Sequence, residues 1–100
     1  MGPLYLLATI HPDPARAAQV ERILRRMVER TRLESGCELY DLVVAPDAPW
    51  TWFMVEKWSS RQAWEAHMAS PHNVQGNAEL QGLLLEPTEL TFWEALPDGG

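Results

Sequence analysis

Two of the chain's three histidines fall within one short stretch, His67-Met68-Ala69-Ser70-Pro71-His72. An imidazole titrates near ~6.5, so a histidine in a pocket can take a proton at neutral pH. His67 shares a helical face with Ala63, Trp64 and Met68. There it is either a general base at the mouth of a pocket between helix and sheet or a hydrogen bond that fastens helix to strand. His72 follows Ser70-Pro71, a cap and a first-turn proline, so it stands at the positive end of a helix. That position favours a neutral imidazole, able to accept a proton or hold a polar substrate group. The bland alternative is a surface histidine beside a cap.

Glu56 alternates with Met54 and Trp58 on a strand that reads apolar on both sides. A buried carboxylate needs a partner. His67 or a backbone N–H would make Glu56 the group that orients the histidine; a cation across a subunit interface would serve equally. Tyr40, Trp58, Trp64 and Trp93 can line a flat slot for a fused aromatic ring, or serve as plain core. Asn73 and Asn77 can hydrogen-bond a substrate oxygen, or simply keep a helix surface polar. No metal site is expected, because His67 and His72 stand five residues apart across a helix break and only a distant carboxylate could join them. No phosphate loop or dinucleotide fingerprint is present.

The elements that must position these residues follow from periodicity. Leu4 to Ile10 is a continuous apolar run, read as a strand covered on both faces. Asp13-Pro14 caps a helix whose buried stripe is Val20, Ile23, Leu24, Met27, Val28 and Thr31, with Gly36 as its left-handed end. Cys37 to Ala45 is the second strand, Pro46 to Pro49 a turn, and Thr51 to Trp58 the third strand. Ser59 and Gln62 form a capping box for a helix that carries His67. Ser70-Pro71 opens a further helical segment running to about Leu85. Thr88 to Leu96 is the last strand, and residues 97–100 are a tail. The order β-α-β-β-α-β gives an α+β class and the split-βαβ pattern of ferredoxin-like folds. Phe53, Val55, Val43, Leu90 and Phe92 on one side, against Trp52, Met54, Tyr40, Trp58 and Trp93 on the other, make both sheet faces apolar. A homodimer pairing two sheets would cover both.

Composition agrees with that architecture. One hundred residues make a single domain, 1–100. With 46% apolar residues and five tryptophans, the chain has more apolar surface than a small core hides. The net charge of −6 argues against nucleic acid, since the arginines between residues 16 and 32 alternate with Glu21, Glu29 and Glu34 as a solvated, ion-paired helix face. Cys37 is the only cysteine, which excludes an internal disulfide. No signal peptide or membrane span is read, so a cytoplasmic location is expected.

Three stretches together resemble the antibiotic biosynthesis monooxygenase (ABM) family: Glu34-Ser-Gly-Cys37-Glu-Leu-Tyr40-Asp-Leu42, Glu56-Lys-Trp58-Ser-Ser, and His67-Met-Ala-Ser70-Pro71-His72. The resemblance implies a ferredoxin-like dimeric α/β barrel. It covers anthrone oxygenases, quinol monooxygenases, haem-degrading enzymes and an isomerase of a sugar signal, so fold alone does not name a reaction. The haem-degrading relatives imply an Asn in the first strand with a Trp and a His on the helices. Here that strand has no Asn, and His67 and Asn77 stand where the Trp and His are expected. The resemblance therefore implies oxygenation of a hydroquinone- or anthrone-like aromatic by O2 without haem, flavin or metal. His72 or His67 would be the base, Glu56 its support, Tyr40 or Asn73 the oxyanion donor, and Trp58, Trp64 and Trp93 the walls. The rival expectations are an isomerase or epimerase of a small carbonyl compound, and a non-catalytic binding or stress-response domain.

Overall fold

Alternation along the strands decides which side of the sheet becomes the interior. In β1 (Leu4–Ile10), Leu4, Leu6, Ala8 and Ile10 are buried, while Tyr5, Leu7 and Thr9 between them stay partly open. The computed structural model describes residues 2–97. A short 3-10 turn, Pro14–Arg16, leads into α1 (Ala17–Thr31), followed by β2 (Cys37–Ala45), β3 (Ala48–Trp58), α2 (Arg61–Met68), α3 (Pro71–Leu80) and β4 (Glu89–Trp93). All strand pairs are antiparallel in the order β2-β3-β1-β4, the ferredoxin-like α+β arrangement expected from the sequence. Of the expected tail, Pro97 follows β4, and residues 98–100 lie outside the described residues.

The helices cover one face. α1 buries all six residues of the expected stripe, because a 3.6-residue period puts them on one side. They meet Leu6, Ile10, Met54 and Trp58 in a continuous core. Gly76 allows α3 to lie closely against Met27 of α1, and the Arg26–Glu79 ion pair ties the same two helices.

Several expected boundaries move. Asp13 caps the 3-10 turn, accepting from the Ala15 N–H, rather than α1 itself. Gly36 is left-handed at φ +88° but lies beyond the helix, which ends at Thr31. Its role is space: a Cβ there would sit 2.6 Å from Ala63 Cβ. The β2–β3 turn is only Pro46-Asp47, so Ala48 and Pro49 already belong to β3. The cap of α2 is Ser60, not Ser59, with its hydroxyl accepting from the Ala63 N–H at 3.1 Å. Ser59 is held back by its own N–H, which donates to the Gly36 carbonyl.

α3 stops at Leu80, short of Leu85, because Gly82 turns left-handed and Leu83 drops into the core. The next residues strap across the end of β1, through the Pro12–Leu84 bridge and the Leu85 N–H to the His11 carbonyl. β4 is shorter than Thr88 to Leu96 and its sides are exchanged. Leu90 and Phe92 pair with Ala8 and Leu6 on the helix side, whereas Trp93 pairs with Tyr5 on the open side. Within the chain, then, the expected double cover is met on one face only. Phe53, Val55 and Leu7 on the other face stay half-buried, and Trp93 is 54% exposed.

Candidate active site

Between the sheet and the helices lies a cavity of about 260 Å³. β1, β2 and β3 floor it with Ala8, Tyr40, Met54 and Glu56; α2 and α3 roof it with Trp64, His67, Asn73 and Asn77. The strand registers make this possible: Leu6, Glu56 and Tyr40 stand side by side across β1, β3 and β2, so all three point toward the helices. Two well-capped helix starts place the roof. The Ser70 hydroxyl accepts from the Asn73 N–H and donates to the His67 carbonyl at 2.7 Å, locking the α2–α3 junction.

His67 is 2% exposed and fully fixed. Its ring stacks on Trp58, with centroids 4.7 Å apart, and meets the edge of Tyr40. Its Nδ1 lies 2.7 Å from Glu34 Oε2, and Nε2 has no partner among the described residues. A carboxylate accepts, so the proton sits on Nδ1 and the neutral ring keeps a lone pair on Nε2. Burial pushes the His67 pKa down and outweighs the opposing pull of Glu34, so the ring is uncharged at neutral pH.

Glu56 is buried and accepts one hydrogen bond, from the Trp58 indole N–H at 3.0 Å. Burial lifts its pKa to about 7; the indole donor pulls the other way and the nearby Glu34 charge adds to the rise. Of the expected partners of Glu56, neither His67 nor a backbone N–H is the one found: Trp58 holds Glu56, and Glu34 holds His67. Burial, with the Glu56 charge, also pushes the Tyr40 phenol up, so it remains a neutral hydroxyl.

The other nominated residues divide. Trp64 lines the cavity and meets Phe92 edge-on. Trp58 is buried behind His67, while Trp93 lies on the opposite sheet face. Asn73 is buried in the roof, its amide donating to the Met68 carbonyl at 3.3 Å. His72 lies outside this cavity, on another that it lines with Arg26 and Arg30. Its Nε2 lies 2.7 Å from the same Glu34 Oε2 and 3.2 Å from the Ser70 hydroxyl. Glu34 is thus the residue that sequence reasoning missed. Its alternation with the arginines reads as a solvated helix face, yet it lies past the end of α1 and turns inward; its place in the Glu34-x-Gly36-Cys37 stretch is the available signal.

Comparison with known proteins fits this geometry. Residues 3–78 match the antibiotic biosynthesis monooxygenase family. The chain belongs to that family. It is 32% identical to Rv0793 of Mycobacterium tuberculosis over 97 residues, covering 97% of this chain and 95% of that one. The Rv0793 structure superposes with a TM-score of 0.90, at 29% identity and covering 99% and 100% of the two chains. PA3566 of Pseudomonas aeruginosa gives a TM-score of 0.89 at 31% identity, over 97% of each chain. A crystal structure described as an antibiotic biosynthesis monooxygenase gives 0.88 at 26% identity, covering 94% and 99%. This ABM chain thus has the family's ferredoxin-like fold, and no helix among its described residues is long and apolar enough to cross a membrane.

Proposed function

We propose that this ABM protein is a cofactor-independent monooxygenase for a small hydroquinone, with His67 as the base. One observation carries the reading: the carboxylate-held His67, with Nε2 unpartnered, shares a cavity with the buried Glu56 carboxyl. Nε2 takes a phenolic proton from the substrate. The phenolate passes an electron to O2, the radical pair joins at a ring carbon, and His67 returns its proton to the peroxide. Loss of the ring C–H proton then breaks the O–O bond, leaving a ring carbonyl and water. One atom of O2 stays on the ring as the new carbonyl, the other leaves as water, and all four electrons that reduce O2 come from the hydroquinone.

Proton transfer from a phenol near ~10 to an imidazole near ~6.5 is uphill by about 5 kcal/mol, and burial of His67 steepens it. Donors aimed at the developing oxyanion offset that cost. The protonated form of Glu56, the neutral Tyr40 hydroxyl and the Asn73 and Asn77 amides are the candidates lining the cavity. Trp64 walls the ring, and Trp58 holds His67 and Glu56 from behind. A volume of about 260 Å³ exceeds the roughly 150 Å³ that encloses benzene and falls below the usual drug-sized range. It suits one or two fused rings better than the three of an anthrone. The mainly apolar walls favour an aromatic over a small carbonyl sugar.

The whole chain acts as one cytoplasmic domain in this reading, and the half-buried apolar side of the sheet pairs with its copy in a homodimer. Such an interface should exceed ~1,000 Å², and sedimentation at micromolar concentration should give a dimer; a monomer there removes the dimer from the proposal. Oxygen uptake with 1,4-dihydroxynaphthalene tests the chemistry. The expected result is consumption well above the spontaneous oxidation of the compound. Tight binding of that hydroquinone with no uptake above background would leave a binding domain instead.

A further inference from the structure

Glu34, His67 and His72 arrive from three elements: the connection after α1, the last turn of α2 and the first turn of α3. Their ligand atoms, Oε2, Nδ1 and Nε2, all lie within 4.8 Å of one another. Both ring nitrogens aim at the same carboxylate oxygen, each at 2.7 Å. Two N–H protons now fill the space between these three atoms. A single divalent ion could replace both protons and take the same three atoms as ligands.

From this cluster we propose that the protein binds a zinc-class divalent ion at Glu34, His67 and His72, and that the ion switches off the base in the cavity. Zinc bonds of 2.0–2.2 Å at tetrahedral angles require ligand separations of about 3.3 Å. The nitrogen–oxygen distances must open by roughly half an ångström, and the two ring nitrogens, within 4.8 Å of each other, must settle at the same separation of about 3.3 Å. His67 is held by Trp58 and Tyr40, so most of the adjustment falls on Glu34 and His72. Their side chains are 16% and 23% exposed, which gives the ion an entry and leaves a fourth position for water. Two imidazoles and one carboxylate select borderline ions such as Zn2+ and Co2+ over Mg2+, which prefers an all-oxygen octahedron. Ser70 must give up its contact with His72 Nε2, retaining its bond to the His67 carbonyl.

The consequence is a change of tautomer. With the ion on Nδ1, a neutral His67 carries its proton on Nε2, the nitrogen left for the cavity. The lone pair that would accept the phenolic proton is gone. Binding stands on the cluster alone, whereas inhibition rests on the reading of His67 as the base under "Proposed function".

The test uses chelator-dialysed protein titrated with CoCl2, ZnCl2 and MgCl2, with His72→Ala, Glu34→Gln and His11→Ala beside it. Visible Co2+ absorption displaced by Zn2+ is expected, with a rise in Tm of roughly 10 °C at hundredfold excess over Kd. Both signals should vanish in His72→Ala, persist in His11→Ala and be absent with Mg2+. His72 is partly exposed, so that variant folds even if Glu34→Gln is weakened. Zinc should lower hydroquinone-dependent oxygen uptake at least ~10-fold in the wild type and leave His72→Ala unaffected. No Co2+ band at millimolar metal, or an unchanged band in His72→Ala, overturns the site. Metal binding with undiminished uptake overturns the switch and the base role of His67 while the site stands. Absence of any uptake overturns the oxygenase and its switch together, and the absorption and melting data still decide the site.

Discussion

The two faces of the sheet are made of alternate residues of the same strands, and they treat polarity in opposite ways. Under the helices, Glu56 and His67 are almost wholly buried, each with a defined partner, beside Tyr40 and Asn73. On the other side, Leu7, Phe53 and Val55 are apolar and only half covered. The covered face is an apolar core that admits a few partnered polar groups, whereas the open face sets half-covered apolar side chains beside Thr9, Lys57 and Asp41. Burial sets the protonation of Glu56 and His67, since it disfavours their charged forms. Half-covered apolar side chains do no chemistry, and they are the area that the proposed homodimer would cover. A one-residue step along a strand separates the cavity side of the sheet from its half-open side.

Neighbouring residues of β1 give the largest test of that division. Leu6 is 1% exposed under the helices, and Leu7 faces the open side. Leu6→Asp should leave the chain largely unfolded, because a carboxyl buried beside Glu56 must either protonate or stay charged without a partner, and with the lost leucine packing this removes several of the ~5–15 kcal/mol that hold a small domain together. Leu7→Asp should instead give a folded monomer, seen as a native circular-dichroism spectrum with a halved sedimenting mass. If Leu7→Asp remains dimeric, the open face is not the interface. If it unfolds like Leu6→Asp, the two faces are not separable.

Within the covered face, the two histidines on Glu34 make the next comparison. Both lie 2.7 Å from Oε2, but only His67 lines the cavity. His67→Ala should lower hydroquinone turnover by ~10²–10⁴-fold, the range for loss of a general base. It should also melt lower, since its ring fills the space between Trp58 and Tyr40. His72→Ala should keep turnover within roughly tenfold of wild type. Equal losses in the two variants, measured per folded molecule, would remove the distinction.

Glu56 yields a smaller effect whose sign is set by its environment. Its pKa rises from the ordinary 4.5 to about 7, so between those values the folded state holds a proton that the unfolded chain releases. Stability conferred by the protonated form is complete below 4.5 and is lost as pH climbs toward 7, reaching about 3 kcal/mol. Glu56→Gln keeps an acceptor for the Trp58 indole and cannot ionise. The Tm of this variant minus that of wild type should therefore grow from pH 4.5 to pH 7 and level off above. A difference independent of pH would mean that Glu56 is solvated. Turnover should fall above pH 7 if its protonated form steadies the oxyanion.

How much of this was legible depended on whether the contact was local. The α1 stripe was readable to the residue because periodicity is a property of consecutive positions. Tyr40, Glu56, Trp64, His67 and Asn73 were nominated by type and do meet at one cavity. Glu34 is not among them, because its contact with His67 spans 33 residues and its interleaving with the arginines reads as a solvated helix face; only its place in the Glu34-x-Gly36-Cys37 stretch sets it apart. The side taken by Trp93 is not readable, because Leu90-Thr91-Phe92-Trp93 has bulky residues at both parities and only pairing with β1 chooses between them. Ser59 and Ser60 posed the same ambiguity on a smaller scale, settled by the Ser59 N–H finding Gly36 across the fold.

That last pair gives the smallest expected effect and ties the capping of α2 to the covered face. Ser60 accepts from the Ala63 N–H, satisfying one of the free donors at the start of the helix that carries His67. Ser60→Ala leaves that donor without its partner and should cost about 1 kcal/mol, or a Tm lower by roughly 4–8 °C. Ser59 makes its structural bond through the backbone, so Ser59→Ala should stay within about 0.5 kcal/mol of wild type. Because α2 is only eight residues long, fraying at its start loosens the turn that sets His67 against Trp58. Hydrogen exchange should accordingly quicken across α2 in Ser60→Ala and remain unchanged in β1 and β3. If the two serine variants melt alike, the cap is shared between them and the helix start is not anchored as the geometry indicates.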